Sequence, residues 1–211
     1  MRKKDFIWLG ICLITLSIFI AESHQLTLQK RETASLMMQV NNLTTKVINL
    51  EKKINVYESN VEKVNRVMSP YTSKITPTQM AKIIRDAAFI TGITEEEILT
   101  LACIESSLQH DAESKKGAYG LLQLKRGTAK EQLSRLGLNW NPNLMNPRHS
   151  ALIGASYLQY LLSKRGGDMS SAIQDYNTGP YSRNYRARTR YLAKFSRKQG
   201  VINEIFSDST F

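Results

Sequence analysis

Residues 24–69 contain neither glycine nor proline. So long a stretch without a breaker leaves continuous helix as its main option. Apolar residues fall at Val40, Leu43, Val47, Leu50, Ile54, Tyr57, Val61, Val64 and Met68, alternately three and four apart. That spacing is the heptad seam of a coiled coil. With Val40 at position a, the a set is Val40, Val47, Ile54, Val61 and Met68, and the d set is Leu43, Leu50, Tyr57 and Val64. β-branched a residues with leucine at d favour two parallel strands. Lys46 and Lys53 fall at g, and Glu51 and Glu58 at e five residues later, so in a parallel dimer each lysine faces the partner's glutamate. We therefore expect a coiled-coil stalk over 24–69 that pairs as a parallel homodimer. The alternative is a single amphipathic helix docked on its own domain or on another protein. Ser69-Pro70 ends the helix. About 45 helical residues at ~1.5 Å each reach roughly 65–70 Å.

Ahead of the stalk, Arg2, Lys3 and Lys4 precede the apolar run Phe6–Ala21. Its helical length, roughly 24 Å, is a little short of a ~30 Å hydrocarbon core. It fits a signal peptide or a short anchor, and Ala21–Ser23 offers small residues for cleavage. The wealth of Ile, Leu and Phe and the helix that follows favour an uncleaved anchor over 1–23. Basic residues before the run keep the N-terminus in the cytoplasm and export the rest, to the periplasm or wall side. Ile11 stands before Cys12 where a lipoprotein signal wants a small residue, which argues against lipidation.

The net charge of +11 and pI of about 9.7 call for an acidic partner: nucleic acid, an anionic membrane or an anionic wall polymer. Export removes nucleic acid from that set. Cys12 and Cys103 lie in unrelated apolar contexts, so no disulfide framework is expected. His24, His110 and His149 lack metal-ligand spacing, and neither a metal nor another cofactor is expected.

From 70 to 211 the pattern is helical. Thr76-Pro77 starts a helix that Gly92 stops. Thr94-Glu95-Glu96-Glu97 is a capping box whose helix carries Ile98, Leu99, Leu101, Ala102 and Ile104 and ends with Glu105. The negative end of a helix dipole raises the pKa of such a carboxyl. Asn146-Pro147 opens another helix, Asp168 caps the next, and a last one covers roughly 188–198. The domain is expected to be all-α or nearly so.

"IESSLQHDAESKKGAYGLLQL", "IGASYLQYLL" and "AIQDYNTGP", in that order, resemble the soluble lytic transglycosylases, peptidoglycan-cleaving enzymes with the goose-type lysozyme fold. The resemblance covers about Thr78 to Arg197 and omits anchor and stalk. It implies a lysozyme-like helical catalytic domain over 70–211, with Glu105 as the single acid and base. It implies substrate contacts from Ser114, from Gly120, Leu122 and Gln123 of the Gly-Leu-Leu-Gln turn, and from the pair Tyr176 and Asn177 that faces the glutamate. Gln123 is expected to point into the cleft. Tyr191 corresponds to a tyrosine of the family's closing helix.

The implied chemistry uses one carboxyl twice. Protonated Glu105 gives its proton to the glycosidic oxygen between N-acetylmuramic acid and N-acetylglucosamine. It then takes the proton of the muramoyl C6 hydroxyl, which closes a 1,6-anhydro ring. Asp175 departs from the family pattern, in which a small residue precedes Tyr-Asn. We expect it to be a solvated charge pointing away from Tyr176, or else a second carboxylate for a hydrolytic, lysozyme-type outcome. Arg186, Arg188 and Arg190 read as a solvated basic helix or as contacts for stem-peptide carboxylates. A non-catalytic glycan-binding assembly factor is the remaining alternative. Wall remodelling, a secretion or conjugation machine, and a phage-encoded, virion-associated enzyme all suit the same sequence.

Overall fold

The computed structural model describes residues 3–208, with side chains from residue 13 onward. It divides into two units, Met1–Val56 and Tyr57–Phe211. Helix α1, Lys3–Met68, contributes to both. In the first unit every described side chain is exposed, the seam residues Val40, Leu43, Val47, Leu50 and Ile54 included. Thr27, Thr33, Thr44 and Thr45 each return a hydroxyl hydrogen bond to the carbonyl four residues back, so they do not interrupt the helix. Among the described residues no helix is long and apolar enough to cross a membrane. Of the apolar run 6–21, the side chains of 6–12 lie outside the described residues.

The second unit starts at Tyr57, earlier than the boundary at 70 expected from sequence. The last turns of α1 explain the difference. Val64, Val67 and Met68 are buried in the core. Lys63 Nζ donates to the Phe206 carbonyl at 2.8 Å, and Arg66 pairs with Asp208 at 2.9 Å. Two residues of the expected seam, Val64 and Met68, are thus covered by the chain's own domain. Val64→Ala should cost about 2 kcal/mol of folding stability. Urea unfolding should give that loss at every protein concentration, since a core contact, unlike a dimer contact, has no concentration dependence.

Six further helices complete the unit: α2 (Pro77–Thr91), α3 (Glu95–Ser106), α4 (Arg126–Arg135), α5 (Pro147–Lys164), α6 (Met169–Thr178) and α7 (Tyr185–Ser207). Strands β1 (Ala118–Tyr119) and β2 (Leu124–Lys125) pair antiparallel between α3 and α4. Helix α3 is central. Its residues Ile98 to Ile104 are all buried, and it packs on α2 and α7 while α5 packs on α2, α4 and α6. Local chemistry sets the helix ends. Thr76 with Gln79 and Thr94 with Glu97 form capping boxes. Asn146 and Asp168 accept from Arg148 and Ser171. Gly92 takes the left-handed conformation that ends α2.

Two helices differ from expectation. The sequence pattern gives no helix over 126–135, where α4 buries only Ala129, Gln132 and Leu133. Helix α7 exceeds 188–198 at both ends. Asn184 caps it by accepting from the Ala187 amide, and Ile202, Ile205 and Phe206 pack into the core region beyond Lys198.

Candidate active site

Glu105 sits in the last turn of α3, half-buried. Burial pushes its carboxyl above the ordinary 4.5, and a hydrogen bond from Tyr191 and the charge of Lys194 only partly offset it. The Tyr191 hydroxyl, from α7, donates to Glu105 Oε1. One turn on, Lys194 Nζ donates to the Ile104 carbonyl at 2.7 Å. Helix α7 therefore holds the end of α3 through two side chains, one on the carboxyl and one on the preceding backbone carbonyl.

The turn after β1 carries Gly120 to Gln123. The Leu122 amide donates to Ser150 Oγ at 3.0 Å, and the Tyr176 hydroxyl donates to the Leu122 carbonyl at 2.9 Å. Leu122 is thus pinned between α5 and α6. Glycine is required at Gly120, where φ is +79° and a Cβ would lie 1.9 Å from the Leu144 carbonyl oxygen. Gln123 also has positive φ, at 47°, uncommon for a residue with a side chain. Its Nε2 donates to the carbonyls of Ala112 and Gly120, both at 3.0 Å, so the amide nitrogen braces its own loop. Ser114 Oγ accepts from the Ala118 amide at 3.0 Å and closes the preceding turn.

The hydroxyl on Glu105 belongs to Tyr191, whereas that of Tyr176 is bonded to Leu122. Tyr176 is close enough for the Glu105 charge, after burial, to hold its phenol well above the ordinary range, but its hydrogen bond fixes Leu122. Asn177 is exposed on the same helix end.

Asp175 is corrected on both counts. It is neither a solvated charge nor a free carboxylate, since both its oxygens are engaged by arginines. Its side chain is fully buried, with Oδ2 2.6 Å from Arg165 Nε and Oδ1 2.5 Å from Arg188 Nη1. Burial alone would raise its pKa, but the two guanidinium groups outweigh that and hold it below the ordinary 3.8. Arg188 is correspondingly a buried partner and not part of a solvated basic face.

Among the described residues no group of His, Cys, Asp and Glu side chains is arranged to hold a metal ion. A cavity of about 770 Å³ lies between α4 and the loop through Trp140. Neither Glu105 nor Tyr191 nor Lys194 lines it.

Residues 82–197 match the family described as the Transglycosylase SLT domain. The chain is similar to the soluble lytic murein transglycosylase of Salmonella typhimurium, with 31% identity over 91 residues, 42% of this chain and 14% of that protein. Its fold is similar to the X-ray structure of the lytic transglycosylase Slt of Pseudomonas aeruginosa, an inactive Glu-to-Gln mutant. There the TM-score is 0.54 at 24% identity, covering 59% of this chain and 24% of that one. The chain thus spans well under a third of the length of either protein. The matched stretch exceeds half of this chain and takes in Glu105, the Gly120–Gln123 turn and Tyr191. The chain belongs to the Transglycosylase SLT domain family.

Proposed function

We propose that the chain is a peptidoglycan lytic transglycosylase that cuts between N-acetylmuramic acid and N-acetylglucosamine without water. The observation that carries this reading is a carboxyl raised in pKa by burial, with a tyrosine hydroxyl and a lysine as its polar neighbours. A protonated Glu105 serves as general acid to the glycosidic oxygen. Once ionised, it accepts the proton of the C6 hydroxyl as that oxygen attacks C1 and closes the 1,6-anhydro ring. Tyr191 holds the carboxyl in line through both steps. A two-carboxylate hydrolysis needs a second acidic group at the cleft, and Asp175 is committed to Arg165 and Arg188 instead. Ser114, Gly120, Leu122, Gln123, Tyr176 and Asn177 form or brace the glycan-binding lip in this reading.

The remainder of the chain fits an anchored enzyme. The basic N-terminus and apolar run 6–21 hold it in the inner membrane with the second unit exported. The seam from Val40 to Ile54, exposed on α1, pairs with a second copy in parallel. Mass analysis of products from purified sacculi tests the activity. Anhydro ends, one water lighter than reducing ends, are expected; reducing ends would replace this reading with a hydrolytic one.

A further inference from the structure

The cavity of about 770 Å³ between α4 and the loop through Trp140 takes no part in the reaction derived above. Its volume falls within the ~300–1,000 Å³ of small-molecule sites. Arg126 and Lys130 line it from one face of α4, four residues apart. No carboxylate lines it, and no ion pair among the described residues engages either cation. Arg126 is set over the Tyr119 ring, 4.7 Å from its centroid, and Lys130 is exposed. Two cations in a concave site without a carboxylate call for an anionic ligand.

The loop contributes the exposed run Asn139-Trp140-Asn141. The Trp140 ring lies edge-to-face against His149, with centroids 4.6 Å apart. That contact orients the indole while 38% of the residue stays exposed. An ordered indole between two amides suits an N-acetylated sugar: the apolar C–H face of the ring meets the aromatic, and its hydroxyls and N-acetyl group meet the amides. The same loop runs on to Leu144, whose carbonyl oxygen lies 1.9 Å from where a Gly120 Cβ would be. The cavity wall is therefore packed directly against the turn that carries Gln123.

We propose that this cavity is an exosite for an acidic amino sugar, the muramic acid of glycan strands that have lost their peptides. The lactyl carboxyl of that sugar is an amide where a peptide is attached and a free carboxylate where the peptide is gone. Only the second form places an anion on the sugar itself, to meet Arg126 and Lys130 while the ring stacks on Trp140. The proposal rests on the peptidoglycan reading above and adds a second hold on the strand, through residues that take no part in the cut.

The test uses the full chain carrying Glu105→Gln, so that the ligand stays intact. Calorimetry compares a peptide-free hexasaccharide from amidase-treated sacculi with chitohexaose, its uncharged counterpart. The acidic hexasaccharide should bind about fivefold more tightly. Lys130→Glu should abolish that preference and Lys130→Arg should keep it, whereas Trp140→Ala should weaken binding of the acidic hexasaccharide about tenfold. Equal affinity for the two sugars overturns the proposal, as does a preference that survives Lys130→Glu. Poly-glutamate bound as tightly as the acidic hexasaccharide reveals a site for charge alone and overturns it too. Digestion of sacculi by the wild-type chain separates the two readings. A preference that depends on Lys130, in a chain that makes no anhydro ends, upholds the exosite and overturns the catalytic reading; anhydro ends without the preference do the reverse.

Discussion

Glu105→Gln should lower turnover of purified sacculi by about a thousandfold or more, because one side chain then fails as both acid and base. Glutamine keeps the size of the side chain and an oxygen for the Tyr191 hydroxyl, so glycan binding should survive. The same substitution should also change stability, in the opposite sense. The folded-state pKa of Glu105 lies above the ordinary 4.5 because burial opposes its charge. Folding therefore takes up a proton between those two values. The penalty for burying the charge is absent below 4.5 and appears as pH rises through the folded value. Glutamine never carries that charge, so the variant should unfold at higher urea than wild type at neutral pH and match it in acid. A variant as active as wild type would remove Glu105 from the chemistry. One less stable than wild type at neutral pH would mean that Tyr191 and Lys194 favour the ionised form more than burial opposes it.

What the sequence disclosed and what it hid divide along chain separation. Thr76, Thr94, Asn146 and Asp168 each bond an amide two or three residues away, so the helix starts are local and legible. Asp175 looked solvated because its neighbours in sequence say nothing of Arg165 and Arg188, ten and thirteen residues away and on other elements. Tyr191 meets Glu105 across 86 residues, a contact that no periodicity encodes. The apolar spacing continues over 57–68, where Val64 and Met68 are buried in the chain's own core, and such a stripe reads the same whether a partner helix or the chain's own domain covers it. Helix α4 escaped notice for the opposite reason, with too few apolar residues in "RGTAKEQLSR" to form a stripe. For Gln123 the resemblance implies a side chain pointing into the cleft, and nothing in the sequence signals its left-handed backbone or its amide bonds to Ala112 and Gly120.

Asp175→Ala should cost about 3 kcal/mol of folding stability. Breaking one side of a buried ion pair leaves an uncompensated charge, which typically costs 3–5 kcal/mol. Here Arg165 is 35% exposed and can turn to water, whereas Arg188 is only 11% exposed and cannot readily do so. The lower end of the range therefore applies. The loss should depend on pH with a definite sign. The folded pKa of Asp175 lies below the ordinary 3.8, so its contribution is complete above 3.8 and fades as pH falls through the folded value. Wild type and variant should converge there in urea titrations. Activity should fall too, because Arg188 lies one turn before Tyr191 on α7 and the Asp175 clamp ties that turn to α6. Replacing both partners, with Asp175→Leu and Arg188→Met, should recover most of the stability, since a well-packed apolar pair avoids the desolvation of two charges. If that double variant regains stability but not activity, the clamp sets the position of Tyr191 against Glu105 in addition to holding the fold.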